Sequence, residues 1–379
     1  MVFSNRCRQI SSYLVQLLIL VGFGLCISCG TTKKDSTESR DEKYYINTIA
    51  FYNLENLFDT EDDPQKFDEA SPIMEIAEGE REGIYKQKVS NMAKAIADIG
   101  AKSTGKPPAV IGVCEIENFK VLQDVVNDAH LSAYNYGIIH YNSPDARSID
   151  VGLLYQKSVF RPTYSKAHEL ILYSDTDKEK RKYTRDQLHV KGKLDGEELH
   201  FIVNHWPSRS GGEKRSRPNR IKAAKLTKKL KDSIQTQDPY AKILIMGDFN
   251  DGPYNESIKE ILNAKENTSD LGITGLYNPF EKLQKKGIGT IAWRDTWDVF
   301  DMIMLSKPLI QTPSGDHYSF YQAHIFNPFY LQNPKGRFKG YPFRSFADGG
   351  FTGGFSDHFP VYIYLIKKVP EDKLNRMED

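Results

Sequence analysis

KILIMGDFND, Lys242 to Asp251, sets an apolar run, Lys242–Met246, directly before a turn sequence in which Asp248 and Asn250 stand two apart. A run this short and this apolar suits a strand buried on both faces, and Asp-Phe-Asn-Asp-Gly is good turn chemistry. The same grammar recurs along the chain. Strand-like runs are read at Ile46–Tyr52, Ala109–Cys114, Val151–Tyr155, Gln187–Leu194, His200–Asn204, Val299–Leu305 and Pro360–Ile366. Helical spacing lies between them: Val89, Met92, Ile96 and Ile99 share one face, as do Val121, Leu122, Val125 and Val126, and a basic helix is expected from about Pro218 to Ile234. Interleaved strands and helices predict an α/β or α+β class with large sheets.

Polar residues gather where these strands end. Asn53 closes the first, Glu115 and His205 follow two others, Asp301 lies beside the strand at Val299–Leu305, and Asp357 with His358 precedes the last. Each alone has an ordinary explanation as a cap, a turn or an exposed side chain. Together they are informative, because a sheet pools its strand ends at one edge, where open sheets place ligands.

The 379 residues, 39% hydrophobic and 27% charged, supply a large core and exclude a disordered chain. A net charge of +1 gives no global pull toward polyanions, so a basic footprint has to be local. Arg6 and Arg8 precede an apolar run, Tyr13–Ile27, too short for a membrane span of about 20 residues. This pattern predicts a signal peptide over 1–28, and Ser28-Cys29-Gly30 resembles a bacterial lipobox with Cys29 lipidated, although Cys26 stands where Leu is usual. Plain secretion is the alternative. A polar tether is expected over 29–43, one domain over 44–368 and a polar tail over 369–379. Loss of the leader and modification of Cys29 leave Cys114 as the one free thiol, with no internal disulfide.

The residue types narrow the chemistry. Glu115 and Asp357 are hard oxygen ligands, without the Cys–His cluster of a zinc site, and suit Mg²⁺ or Mn²⁺. His205 and His358 can exchange protons near neutral pH, with Asp150 and Asp301 available to orient them. Asn53 and Asn250 can hydrogen-bond a phosphoryl oxygen or a water, and Asp248 can take a proton from that water. Gly-x-Ser-x-Gly is absent, and Cys114 lies in an apolar strand, so a covalent nucleophile is disfavoured. Hydrolysis of a phosphate ester by activated water is the natural reading.

In order, YNLEN, CEIEN, RSIDVGLLY, NHWPSR, GDFND, FDMIML and GGFSDHFPV resemble the endonuclease/exonuclease/phosphatase superfamily from about Ile46 to Leu365. FYNLENLFDTEDDP and NHWPSRSGG resemble its bacterial extracellular nuclease branch. The resemblance implies an α+β four-layer sandwich, two mixed β-sheets face to face with helices outside, and a metal-dependent phosphodiesterase site at one end. It makes Glu115 the principal metal ligand and sets Asp357 opposite. Asp248 would orient the attacking water, and Asn250 and Asn53 would place phosphate and water. His358, held by Asp301, would stabilise the transferring phosphoryl group, and His205, held by Asp150, would protonate the leaving oxygen. Arg147 and Arg209 complete the set as substrate-binding cations. Cys114 replaces the Gln that commonly precedes the metal-binding Glu, and Glu117 is read as a neighbour, not a ligand. The hallmarks of the inositol-phosphatase branch are missing.

Substrate class rests on two segments. Ten Lys/Arg and one acid, Glu213, lie between His205 and Lys231, and Arg209, Lys214, Arg215, Arg217 and Arg220 flank the proposed site, as suits a polyanion backbone. Tyr318–Phe346 holds ten Phe/Tyr among 29 residues, suited either to base stacking or to packing over a sheet edge. Three functions compete: an envelope-anchored nuclease for DNA or RNA, with no obligate protein partner evident; a sphingomyelinase-like phospholipid phosphodiesterase; and an inactive nucleic-acid-binding module. The last is disfavoured because every acid, base and metal position is filled.

Overall fold

Along β1, Tyr44–Leu57, successive side chains enter two different cores, which is why its middle, Ile49–Tyr52, is apolar without alternation. Ile49 and Phe51 join the cluster between the sheets, while Ala50, Tyr52 and Leu54 join the one beneath the helices. In β2, Val110–Ile116, Val110 and Cys114 face the first core and Ile111 and Val113 the second. The computed structural model describes residues 43–370, apart from 175, 176, 178, 313, 315 and 316. The leader, Cys29, nearly all of the tether and most of the tail lie outside the described residues.

The first sheet has six strands in the order β12 (Ser319–Ile325), β13 (Val361–Lys368), β1, β2, β4 (Asp150–Gln156) and β3 (Tyr136–His140). Only β1 and β2 run parallel in it. The second sheet, of seven strands, starts with the two-residue strands Ala264–Lys265 and Leu276–Tyr277. It continues through β11 (Asp301–Ser306), β8 (Ile243–Asp248), β7 (Glu197–His205), β6 (Gln187–Leu194) and β5 (Phe160–His168). Here β7 and β8 form a parallel pair, as the two short strands do. A small hairpin, β9 (Ile291–Trp293) and β10 (Thr296–Asp298), stands between the short strands and β11 in sequence.

The sheets pack face to face. A Cβ on Gly112 of β2 would fall 2.6 Å from Met246 Sδ of β8 and 3.1 Å from Val203 Cγ1 of β7, so glycine is required where the layers approach. Helices α1 (Glu78–Asp98) and α2 (Phe119–Asn127) cover the first sheet, burying Val89, Met92, Ile96, Val121, Leu122 and Val125 as the spacing predicts. Helix α3 (Glu213–Gln237) covers the second, with Thr227 donating to Gln187 and lying 3.0 Å from Asn204 Oδ1. It begins five residues before the expected start, with Pro218 inside it. The order helix, sheet, sheet, helix is the four-layer sandwich expected.

The parallel pairs aim their carboxyl ends at one edge. There Asn53 of β1 pairs with Cys114 of β2, and Asp248 of β8 pairs with both His205 of β7 and Asp301 of β11. β13 runs antiparallel to β1, so the residues just before it, Asp357 and His358, arrive at the same edge. The topology thus brings ends far apart in sequence to one place.

Candidate active site

Local backbone distortion presents the first carboxylate. Pairing of β2 shifts register on both sides between Cys114 and Ile116, which makes Glu115 a bulge residue. Its φ is +58°, a left-handed conformation that a glutamate adopts only at a cost. Glu55 and Asn56 opposite it have φ of +44° and +47°. The distortions answer each other: the Asn56 backbone N–H donates to Glu115 Oε2 at 3.0 Å, and the Glu55 N–H donates to Asn53 Oδ1 at 2.9 Å.

Asn53, wholly buried, is the clasp of the site. Its Nδ2 lies 3.1 Å from Glu115 Oε1 and 3.2 Å from Asp248 Oδ2, so one amide holds carboxylates from both sheets. The Asn250 N–H fixes the other Asp248 oxygen at 2.9 Å. Burial pushes the Asp248 carboxyl up to about 7, with Asp301 and Glu115 adding to the rise and His358 opposing it.

The two histidines flank Asp248 Oδ2. His358 Nδ1 lies 2.7 Å from Asp301 Oδ2, and its Nε2 is 3.9 Å from Asp248. Burial alone would lower its pKa, but Asp301 and Asp248 override it and raise the imidazole well above its ordinary range. Ser356 positions the backbone here, accepting from the His358 N–H and donating to Asn53 O at 2.7 Å. His205 Nε2 lies 3.7 Å from both Glu115 Oε1 and Asp248 Oδ2. Its pKa is pressed well below the ordinary value by burial first, then by Arg185, His358 and Arg147. One histidine is therefore an imidazolium and the other neutral.

Asp150 does not hold His205. Its carboxylate is taken by His140 Nε2 at 2.9 Å and by the Ser143 N–H at 2.8 Å, because β3 and β4 are adjacent and bring His140 beside it. His205 Nδ1 is buried without a hydrogen-bond partner. A neutral His205 is a poor acid for the leaving oxygen, and its Nε2 faces the carboxylates of Glu115 and Asp248.

Other expected residues are spent structurally. Asn250 donates its side-chain N–H to Trp206 O at 3.0 Å and has φ of +50°, so it shapes the turn. Arg209 donates to Asn250 O at 2.9 Å and to Asp251 at 3.3 Å, and its guanidinium lies 4.5 Å from the centre of the Phe300 ring. Arg220 is fully buried against Asp251 at 2.7 Å, and Arg217 pairs with Glu213. Arg209 and Arg220 are thus internal scaffolding, whereas Lys214, Arg215 and Arg217 remain exposed. Arg147 is about half exposed and close enough to His205 to depress it.

Asp357 reaches the edge but is tied to Arg344, whose Nη2 lies 3.1 Å from its Oδ2. Arg344 also reaches Glu55 Oε1 at 3.3 Å, and the Ser345 N–H donates to Glu55 Oε2 at 2.6 Å. Buried Lys88 donates to Ser345 Oγ at 2.6 Å. Burial and Asp357 raise Glu55 to about 7, and burial lowers Lys88 to about 8. Sequence reading missed this group. Its one signal was a carboxylate, Glu55, inside a stretch otherwise suited to a strand end.

Two residue groups here could hold a metal ion, each with ligand atoms within 4.8 Å of one another: Cys114, His205 and Asp248; and Asp248, Asp301 and His358. Burial raises the Cys114 thiol far above its ordinary value, so it offers no thiolate. The remaining donors, carboxylate oxygens and one neutral imidazole with an unpaired partner atom, suit a hard divalent cation.

No curated protein sequence matches the chain significantly. Among solved structures, an endonuclease/exonuclease/phosphatase family protein from Bacteroides thetaiotaomicron superposes with a TM-score of 0.52 at 16% identity, over 86% of this chain and 96% of that one. A mannosyl-6-phosphatase, Bt3783, from the same organism gives 0.50 at 17% identity, over 84% and 99%. TDP2 from Caenorhabditis elegans gives 0.50 at 13% identity, over 85% and 74%. At these identities the likeness is one of fold. The model of the Endonuclease/Exonuclease/phosphatase family matches residues 48–367, which span every strand and side chain of the site, and the chain belongs to that family of phosphoesterases.

Proposed function

We propose that the protein is a metal-dependent phosphodiesterase that hydrolyses nucleic acid with an activated water. One observation carries the reading: two histidines from different strands place Nε2 within 4 Å of one oxygen of Asp248, which Asn53 ties to Glu115 of the other sheet. Asp248, between the two rings and fixed by Asn53 and the Asn250 N–H, is placed to take a proton from an attacking water. The His358 imidazolium, held by Asp301, faces the charge that grows on the phosphoryl oxygens. Asn53 fixes Asp248 and Glu115 relative to each other and excludes the drift that would separate base from electrophile.

Glu115, with His205 Nε2 3.7 Å from it, would hold Mg²⁺ or Mn²⁺, and Asp357 would assist if released by Arg344. The ion would supply charge neutralisation at the phosphate. For nucleic acid as substrate, support comes from half-exposed Arg147 and Arg344 at the rim. The hairpin β9–β10 adds exposed Trp293 with the Arg294 guanidinium 5.5 Å from its ring centre. A stacking plane beside a cation fits a base on a charged backbone. Of the aromatic stretch Tyr318–Phe346, Tyr318 and Leu331 are buried as packing, while Tyr321, Phe329 and Phe338 are exposed. No helix among the described residues is long and apolar enough to cross a membrane. Attachment through lipidated Cys29 to a bacterial envelope completes the proposal.

The test is supercoiled plasmid with Mg²⁺, with EDTA and His358→Ala as controls. Nicking that needs both the metal and His358 is the expected result. Intact plasmid, with metal-dependent release of phosphate from a sugar-phosphate monoester, would overturn the substrate and keep the water chemistry. Turnover of sphingomyelin alone would do the same in favour of a lipid.

A further inference from the structure

We propose that Arg344 is an exchangeable clasp: in the free protein it holds Asp357, and a substrate phosphodiester takes over its guanidinium and so releases Asp357 toward the metal ion. The inference rests on the phosphodiesterase reading above and adds how metal and substrate come to bind together.

The frame around this arginine is fixed. From α1, buried Lys88 donates to Ser345 Oγ at 2.6 Å, and Asn91 Nδ2 donates to Gly353 O and Gly354 O at 3.1 and 2.7 Å. Ser345 Oγ donates in turn to Phe355 O, and the Thr352 N–H donates to Ser345 O at 2.8 Å. A Cβ on Gly354 would collide with the carbonyl oxygens of Phe343 and Arg344, so glycine is required where the two arms of this loop touch. The Arg344 backbone is thereby tied to the chain that leads into Asp357 and His358.

Its guanidinium is held far less firmly. The side chain is 51% exposed and gives one N–H to each of two carboxylates, Nε to Glu55 Oε1 at 3.3 Å and Nη2 to Asp357 Oδ2 at 3.1 Å. The remaining N–H groups of the fork meet no other acceptor among the described residues. The two carboxylates differ in their freedom. Glu55 is buried and the Ser345 N–H holds its other oxygen at 2.6 Å, which makes it a pivot. The Asp357 side chain is about one-third exposed, and an ion pair this open contributes little. A phosphodiester offers the fork two oxygens in parallel, where Asp357 takes a single N–H. Exchange about the Glu55 pivot therefore favours the substrate, and it frees a carboxylate at the edge that already carries Glu115. Metal and phosphodiester then raise each other's affinity, and by linkage they do so reciprocally.

The purified protein, stripped with EDTA, is titrated with Mn²⁺ while the free ion is followed by EPR, alone and with saturating diethyl phosphate. Triethyl phosphate is the uncharged control. Diethyl phosphate should lower the Mn²⁺ Kd at least about fivefold, and triethyl phosphate should leave it unchanged. Arg344→Gln alters a half-exposed side chain and should unfold as cooperatively as wild type. Without phosphodiester it should bind Mn²⁺ about fivefold more tightly than wild type, because nothing holds Asp357, and diethyl phosphate should add at most about half of the wild-type factor. Loss of a positive charge near the ion would tighten binding by itself, so Asp357→Asn closes a double-mutant cycle. In that background Arg344→Gln should change the Mn²⁺ Kd by less than about twofold. The clasp is refuted if diethyl phosphate leaves the wild-type Kd unchanged, if Arg344→Gln binds Mn²⁺ like wild type, or if its gain persists beside Asp357→Asn. Wild-type turnover of bis(4-nitrophenyl) phosphate separates this from the parent reading. Turnover with any of those three results overturns the clasp alone, whereas no turnover and no response to diethyl phosphate overturn both.

Discussion

His205 ends β7 and His358 just precedes β13 at the same edge, and each places Nε2 within 4 Å of the same oxygen of Asp248. They hold opposite charges. On the His358 side, β11 delivers Asp301 to Nδ1 at 2.7 Å, and a buried carboxylate stabilises the imidazolium more than burial destabilises it. On the His205 side, Nδ1 has no partner, and Arg185 stands nearby, donating to Trp206 O at 2.9 Å. Burial and cationic neighbours then act in one direction. Position relative to the reacting oxygen is thus nearly the same for both, and the atom behind each ring decides its use.

The largest blow to this comparison is removal of its centre. His358→Ala and Asp248→Ala should each lower kcat/KM by about 10³-fold or more. Their unfolding transitions should remain cooperative, and normal turnover in either would sink the roles assigned. Asp301→Asn is a sharper probe, since it preserves shape and removes the charge behind His358. Turnover should fall by about 10²-fold, and the alkaline limb of the pH–rate profile should move to lower pH as the imidazolium loses its support. An unchanged alkaline limb would assign that limb to another group. On the opposite side, Arg185→Gln removes one of the charges that keep His205 neutral. The His205 pKa should rise, and activity at pH 6 relative to pH 8 should fall by roughly tenfold as protons compete with the metal for Nε2. Equal ratios in variant and wild type would separate His205 from the metal.

The same contrast explains how much was legible in the sequence. Strand ends were readable because β1, β2, β7 and β8 are buried on both faces and their apolar runs stop at the edge. Glu115, His205, Asp248, Asp301 and His358 were found in this way, and the four-layer order followed. Pairing across the edge was not readable. Asp150 lies in β4 and meets His140 only because β3 is its neighbour in register, His140 opposite Gly152. The run from Arg209 to Arg220 looked like a substrate track, yet an arginine carries no mark in sequence of whether Asp251 will bury it. Strands β3, β5 and β12 were missed because their outward faces are only partly buried, which breaks the apolar run.

A smaller effect tests the electrostatics without touching a residue. In the metal-free protein burial raises Asp248 and Glu55 to about 7 and Glu117 to about 8, all above the ordinary carboxylate range. A carboxyl raised on folding binds more protons in the folded state, so its contribution is complete at low pH and is lost as pH climbs through the folded value. The neutral histidines act oppositely: His205 and His189 lie below their ordinary value, and their contribution falls away as pH drops below about 6.5. Between about pH 7 and 8.5 the histidines of the unfolded chain are already neutral, so the raised carboxyls and the His358 imidazolium both favour a decline. The Tm of EDTA-treated protein should therefore decline by a few degrees across that window, whereas excess Mg²⁺, which favours the ionised carboxylates at the edge, should flatten the decline. A metal-free Tm that rises from pH 7 to 8.5 would mean that these carboxyls are ionised at neutrality. Asp248 would then enter the reaction as an electrostatic anchor for water, no longer as its base.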